Sequence, residues 1–231
     1  MGRARFPRDA LEYTLPHVLE AVMSYSGDIA TALAGLNKWQ GAAVAAMCAA
    51  SMVPMIERFA QPATRQAFKR GLDTAWKSAR EGALDSGASA ARATLDELPE
   101  SMCDDSNTPM YEVMVALGVL SYALDAVNRD DSVRNAKEAC FLAANHYSGY
   151  DHVLVYGNQI RTIDPRNPPP PGRLESLQIQ SQLHAIEIIR NARQLSGKII
   201  EELQASAAQL ASELDRVLPI YAQRRGWKIQ Q

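Results

Sequence analysis

Apolar side chains recur at the three- and four-residue spacing of an α-helix along nearly the whole chain, whereas the alternation typical of strands is almost absent. Such a chain buries its apolar faces by packing helix against helix. With 231 residues, 47% of them apolar, it is long enough to form a sizeable core as one domain or at most two small ones. We therefore predict an all-α fold, a single-domain multi-helix bundle that ends in a long C-terminal helix or a helical hairpin.

Proline, glycine and asparagine residues divide this pattern into separate helices. The first predicted helix covers Pro7 to Tyr25. The second runs from about Asn37 to Phe59, where an alanine-rich sequence predicts a buried helix that Pro54 kinks. A helix from Pro109 to Asn128 and another that ends near Tyr147 are separated by a short turn, which predicts an αα-hairpin.

The segment 150–173 differs in composition from the rest of the chain. It contains Val153 to Tyr156, which we interpret as a short extended piece, and four consecutive prolines, which favour a polyproline II spacer. We therefore predict a helical body over 1–149, a proline-rich connector over 150–173, and a C-terminal helical segment over 174–231. This last segment is expected to pack on the body, so that the chain forms one globular unit.

The C-terminal segment carries apolar residues at heptad-like spacing. This seam consists of Ile199, Leu203, Ala207, Leu210, Leu214, Val217 and Tyr221. Gly197 divides the segment into two helices that fold back on each other, or else lies within one long helix; both remain open. We favour packing of the seam on the same chain, since three heptads are few. The alternative is a homodimer whose interface is formed by Ile199, Leu203, Leu210 and Leu214.

The residue types that carry catalysis are not arranged in a recognisable pattern. None of His17, His146, His152 and His184 is spaced with another histidine, cysteine or carboxylate as in metal-binding motifs, so we interpret each as structural or solvent-exposed. Nucleophile elbows, phosphate-binding loops and dinucleotide-binding turns are absent from the sequence. We therefore predict a non-enzymatic protein without catalytic residues, metal or cofactor.

Several features point to the cytoplasm. Cys48, Cys103 and Cys140 are odd in number and widely spaced, which is typical of free thiols in a reducing compartment. The basic N-terminus is followed by acidic residues rather than an apolar stretch, and no run of 18 apolar residues occurs, so we expect neither a secretory signal nor a membrane span. The net charge of −2 argues against nucleic acid as a partner.

Charge is distributed unevenly along the chain. Residues 95–131 contain nine acidic residues against one basic residue, Arg129, a local net charge of −8. The acidic residues are Asp96, Glu97, Glu100, Asp104, Asp105, Glu112, Asp125, Asp130 and Asp131. Such a surface would steer a basic partner toward it.

From this segment we predict the residues that contact a protein partner. They are Glu100, Asp104, Asp105, Tyr111, Glu112, Asp130 and Asp131. One alternative is a solvated loop and helix start, in which Glu112 merely complements the helix dipole. Another is a divalent metal bound by two aspartate pairs, 104–105 and 130–131, although these residues lack EF-hand spacing.

Residues 36–76 resemble the YjaG-like family of small, uncharacterised, all-helical bacterial proteins. The matching residues are Leu36, Trp39, Cys48, Met52, Pro54, Phe59, Phe68, Leu72, Asp73 and Trp76. The hairpin that reaches Asn145 and the helix from Leu174 fall where that family has its central hairpin and its long last helix. The sequence departs from the family at 49–50, where two alanines replace a common Glu-Arg pair. The resemblance implies a fold rather than an activity.

Together these features predict a cytoplasmic interaction protein, most concretely a bacterial immunity protein that binds and occludes a basic toxin. Two alternatives stay open. A homo-oligomeric structural or regulatory protein would use the C-terminal seam, and an enzyme with a carboxylate-bound metal would need carboxylates gathered inside the bundle.

Overall fold

The structure, a computed structural model, describes residues 28–128, 131–159, 169–192 and 194–227. The predicted helix from Pro7 to Tyr25 lies outside the described residues. Within the described ranges every regular element is helical. This confirms the predicted all-α fold.

The described ranges contain nine α-helices and one 3₁₀ helix. In chain order they are α1 (28–33), α2 (Lys38–Ser51), α3 (Val53–Phe59), α4 (Pro62–Glu81), α5 (Gly87–Asp96), a 3₁₀ helix (Pro99–Met102), α6 (Pro109–Asn128), α7 (Ser132–Tyr156), α8 (Arg173–Arg190) and α9 (Gly197–Arg225). The predicted bounds of α6 are confirmed.

Helix α2 lies at the centre of the bundle and packs against α4, α6, α7 and α9. It begins with a capping box, in which the Asn37 side chain accepts from the backbone of Gln40 and the Gln40 side chain accepts from the backbone of Asn37. All its residues from Gln40 to Ala49 are buried. Alanine predominates among them, and small side chains let the surrounding helices approach closely.

The predicted kink near Pro54 is confirmed. The backbone of Met52 departs from helical geometry, and Pro54 stands in the first turn of α3, where its missing N–H is not needed. Helices α2 and α3 therefore form one apolar stretch with a break.

Two stretches are long and apolar enough to cross a membrane by length and composition alone, Lys38–Phe59 and Pro109–Asn128. Most of each is buried inside the bundle, 83% and 78% of the respective apolar windows. Their apolar character is explained by their position in the core, since a helix that is apolar all round is also what the centre of a bundle requires.

Helix α7 is longer than predicted and includes the first residues of the predicted connector 150–173. It continues through Val153 to Tyr156 and ends at Gly157, whose positive φ of 66° suits glycine. The segment interpreted as extended is therefore helical, because Tyr150 and Val153 continue the buried face of α7. The boundary placed at residue 150 falls inside a helix.

The C-terminal segment is divided into α8 and α9, which contact each other as a helical hairpin. Gly197 opens α9, and the hydroxyl of Ser196 caps it by accepting from the backbone of Ile199. Five seam residues are buried, and two are partly buried against the core. The buried ones are Leu203, Ala207, Leu210, Leu214 and Tyr221, and the others are Ile199 and Val217. The seam is thus occupied within one chain.

Candidate functional site

A buried carboxylate lies at one end of the bundle. Glu112, in the first turn of α6, is 1% exposed. One of its oxygens lies 2.5 Å from Nε2 of His146 and also accepts a hydrogen bond from the hydroxyl of Tyr150. Its other oxygen accepts from the hydroxyl of Tyr221 at 2.8 Å. Three polar side chains from α7 and α9 thus surround one carboxylate.

The helices place these groups by simple periodicity. His146 and Tyr150 are four residues apart on α7 and therefore lie on the same face. Tyr221 lies near the end of α9, on the seam that faces the core. A carboxylate in the first turn of a helix is also stabilised by the helix dipole. Glu112 consequently joins three helices at the point where α6 begins.

Burial raises the pKa of Glu112, as it would for any carboxylate taken out of water. The positive charge and hydrogen bond of His146, and the hydroxyl groups of Tyr150 and Tyr221, outweigh this effect. The resulting pKa lies below the usual value of a glutamic acid. Glu112 is thus a buried carboxylate that its surroundings hold in the ionised form.

The pKa values of the two tyrosine hydroxyls shift in the opposite direction, upward. Burial raises the pKa of Tyr150 and of Tyr221, and the negative charge of Glu112 raises both further. The two rings meet edge to face with centroids 4.5 Å apart. Both hydroxyls therefore stay protonated and act as hydrogen-bond donors to the carboxylate.

A second layer, formed by the side chains of Arg225 and Trp227, covers this cluster near the end of α9. The guanidinium of Arg225 lies over the rings of Tyr221 and Trp227, and its Nε donates to the Tyr221 hydroxyl at 3.3 Å. The indole N–H of Trp227 donates to the backbone carbonyl of Asn107 at 2.8 Å. The end of α9 therefore closes over the loop that precedes α6.

We call this region the tyrosine end: the loop 103–108, the first turn of α6, the C-terminal half of α7 and the last turns of α9. Two further contacts hold it together. Nη1 of Arg224 donates to the carbonyl of Val153, and the side-chain amide of Asn158 donates to the carbonyl of Arg224.

Two of the residues predicted to contact a partner are not surface residues. Glu100 is 3% exposed and Glu112 is 1% exposed, because both carboxylates accept hydrogen bonds inside the fold. Oε1 of Glu100 accepts from the hydroxyl of Thr64 at 2.8 Å and from the backbone of Gln61 at 3.3 Å, at the start of α4. The prediction that these two face a partner is corrected on this ground.

The other predicted contact residues do not form one patch. Asp104 and Asp105 are exposed at the tyrosine end, where Tyr111 is half-buried with its ring 6.3 Å from that of His146. Asp131 is exposed beyond the opposite end of α6, which at 1.5 Å per residue is about 30 Å away. Asp130 lies outside the described residues.

The alternative of a metal ion held by two aspartate pairs is also wrong. Asp131 and the pair Asp104–Asp105 lie at opposite ends of α6 and cannot bind the same ion. In the described ranges, no group of three or more histidine, cysteine, aspartate or glutamate side chains is placed to hold a metal ion.

The sequence does not predict that His146, Tyr150 and Tyr221 gather around Glu112. His146 was interpreted as an isolated histidine because its partner, Glu112, is 34 residues away in sequence. The available signal was weak: a histidine and a tyrosine four residues apart, and an acidic residue in the first turn of a predicted helix.

Comparison with known proteins gives a likeness at the level of the fold. No family model and no curated protein matches the chain. A crystal structure of a DUF416 family protein from Shewanella baltica OS155 is similar, with a TM-score of 0.63 and 14% sequence identity. The match covers 78% of this chain and 93% of that one. The helical arrangement is therefore shared with a protein of an uncharacterised family.

Proposed function

We propose that this protein is a bacterial cytoplasmic immunity protein, which acts by binding and occluding a basic toxin rather than by catalysis. The observation that carries the proposal is the surface of the tyrosine end. There, exposed apolar side chains and two exposed aspartates lie at the same end of the bundle, a combination that supports binding of another protein.

Most of the large apolar side chains that the described residues expose belong to this region or its margins. They are Met102, Met110, Val155, Tyr156 and Ile220, whereas Leu84 and Leu183 lie elsewhere. Met102 is the most exposed, at 75%. Methionine and tyrosine are enriched in the centres of protein interfaces, because they bury a large apolar area and adapt to the partner.

Asp104 and Asp105 make the loop 103–108 acidic, whereas Arg224 and Arg225 lie at the end of α9. The carboxylate of Asp105 accepts from the backbone of Asn107 at 2.9 Å, so the loop before α6 is held in a turn. The nearby Arg225 is engaged by the aromatic rings of the second layer. A basic partner would therefore meet an acidic loop of defined shape, which favours fast association.

The hydrogen bonds around Glu112 support the proposal in a second way. They fix the start of α6 and the ends of α7 and α9 relative to one another. A surface built on fixed elements loses less conformational entropy on binding. Glu112 thus stabilises the helices that carry the proposed interface and does not itself contact the partner.

Membership of the YjaG-like family is part of this proposal. It is supported by the burial of matching residues in the core, among them Cys48, Met52, Phe68 and Trp76. The fold shared with an uncharacterised bacterial protein is compatible with it.

The proposed function is tested by co-expressing the chain with a basic, growth-inhibiting protein encoded beside it. We expect growth to be restored and the two proteins to co-purify. The variant Asp104→Lys should slow association and weaken its dependence on salt. Asp131→Lys, a matched exposed aspartate at the other end of α6, should leave both unchanged. If no protein encoded beside the chain is neutralised by it, the proposed function is wrong; if both variants bind alike, the assignment of the surface is wrong.

A further inference from the structure

Two cysteines from different helices meet in the core. Sγ of Cys48 on α2 lies 3.8 Å from Sγ of Cys140 on α7, and both residues are fully buried. The third cysteine, Cys103, is partly exposed in the loop before α6. The pair is independent of the tyrosine end and of the proposed function.

The close approach follows from small residues between α2 and α7. A Cβ atom placed on Gly41 would lie 3.4 Å from the carbonyl oxygen of Ser132 and 3.7 Å from Cβ of Ala136. Further along the same two helices, the hydroxyl of Tyr147 donates to the carbonyl of Ser51 at 3.0 Å. The cysteines lie between these contacts, on backbones that approach closely, as a disulfide between helices requires.

The environment of the two sulfur atoms is asymmetric. Two buried glutamines of α8 direct their amide groups at Cys48: Nε2 of Gln182 lies 3.5 Å and Nε2 of Gln178 lies 4.0 Å from its Sγ. Gln182 also donates to the backbone carbonyl of Cys140 at 3.0 Å. Amide donors aimed at a sulfur stabilise its thiolate form, which is the nucleophile.

Cys140 is the thiol that stays protonated. The hydrogen bond with Cys48 raises the pKa of Cys140, and burial raises it further, so this thiol stays protonated. A protonated thiol beside a nucleophilic one can supply the proton that a leaving hydroxyl group needs.

We propose that Cys48 and Cys140 are a redox-active dithiol, which a peroxide oxidises to an internal disulfide that links α2 to α7. As the sulfur of Cys48 attacks one peroxide oxygen, the O–O bond breaks and the other oxygen leaves with the proton of the Cys48 thiol as water, so that a sulfenic acid is left on Cys48. The sulfur of Cys140 then attacks the sulfenic sulfur, the S–S bond forms, and the hydroxyl group leaves with the Cys140 proton as a second water. Two thiols lose two electrons and two protons, and hydrogen peroxide is reduced to two waters. Full burial of the pair requires a small oxidant, so oxidised glutathione should not replace peroxide.

The experiment uses the folded full chain carrying Cys103→Ser, which removes the exposed thiol. After treatment with hydrogen peroxide under native conditions, peptide mass spectrometry should show a Cys48–Cys140 linked peptide lighter by two hydrogen atoms than the reduced pair. A thiol reductant should reverse it. The oxidised chain should also have a higher Tm, because the cross-link restricts the unfolded chain.

Two variants test the assigned roles. In Cys140→Ser, Cys48 should stop at the sulfenic acid and be trapped by dimedone, whereas in Cys48→Ser the remaining thiol should not react. The variant Gln182→Met, which keeps the volume and removes the donor, should slow oxidation. The proposal is wrong if the linked peptide does not form in the folded chain that retains both Cys48 and Cys140, or if it forms only after denaturation. It is also wrong if the two single variants react equally with peroxide.

Discussion

Nε2 of His146 lies 2.5 Å from a carboxylate oxygen of Glu112 in the interior of the bundle, and this contact joins α7 to the first turn of α6. Glu112 is almost completely buried, while the His146 side chain is 14% exposed at the rim of the cluster. Removing one member of such a pair leaves the other without compensation in a medium of low dielectric constant. The tyrosine end is therefore held by hydrogen bonds to a buried carboxylate as well as by apolar packing.

The first prediction concerns the charge of Glu112. Glu112→Gln keeps the shape of the side chain but removes the negative charge that strengthens three hydrogen bonds. We expect the free energy of unfolding in urea to fall by about 1–3 kcal/mol. The control is Glu201→Gln, a change at an exposed position on α9, which should stay within about 0.5 kcal/mol of wild type. Equal effects of the two changes would show that the buried charge does not stabilise the fold.

The second prediction concerns acid. Because the pKa of Glu112 is lowered in the folded protein, its stabilisation is fully present above the unfolded value of about 4.3 and is lost as pH falls through the lowered folded value. Between about pH 5 and pH 3, wild type should therefore lose stability more steeply than Glu112→Gln. Carboxylates common to both proteins cancel in this difference. Parallel stability curves over that range would contradict the assigned pKa direction.

The third prediction concerns two tryptophans, Trp76 and Trp39, whose burial differs. Trp76 on α4 is 6% exposed, whereas Trp39 on α2 is half-buried beside Gly82, under the ammonium group of Lys38. Trp76→Ala should cost about 3–5 kcal/mol of unfolding free energy. Trp39→Ala should cost less than about 2 kcal/mol, because less apolar area is lost. Denaturant titration of both variants checks the order, and a reversed order would contradict the described packing of α4.

Local signals were sufficient for much of the fold. Pro109 in the first turn and the polar turn after Asn128 mark the ends of α6, and Gly197 marks the start of α9. From the sequence we predict that α7 ends near Tyr147 and interpret Val153 to Tyr156 as extended, although Val153 lies three residues from Tyr150 and continues the buried face of α7. Gly157, which ends this helix with a positive φ, was a signal that the sequence offered.

The candidate site was less accessible to sequence reasoning, because its contacts join distant parts of the chain. Tyr221 is 109 residues from Glu112, and nothing local to either residue indicates the other. The acidic segment is unusual in charge, but the sequence does not show that Glu100 and Glu112 face inward or that the length of α6 separates Asp131 from Asp104 and Asp105. Whether a carboxylate is buried depends on its hydrogen-bond partners from other helices, and the spacing of apolar residues does not predict those partners.

Glu100 is the second buried carboxylate of that segment, and its surroundings differ from those of Glu112. Its Oε1 accepts from the hydroxyl of Thr64 and the backbone of Gln61, and so caps α4, whose own N-cap side chain makes no capping hydrogen bond. Its Oε2 has no hydrogen-bond partner in the part of the chain that the structure describes. Glu100→Gln keeps the accepting oxygen and should cost at most about 1 kcal/mol of unfolding free energy, the contribution of a charge at a helix start. Glu100→Ala leaves the buried hydroxyl of Thr64 and the partly buried backbone N–H of Gln61 without this acceptor and should cost about 1–3 kcal/mol. Urea unfolding of both variants distinguishes these effects, since equal losses would mean that the charge of Glu100, rather than its accepting oxygen, stabilises the start of α4.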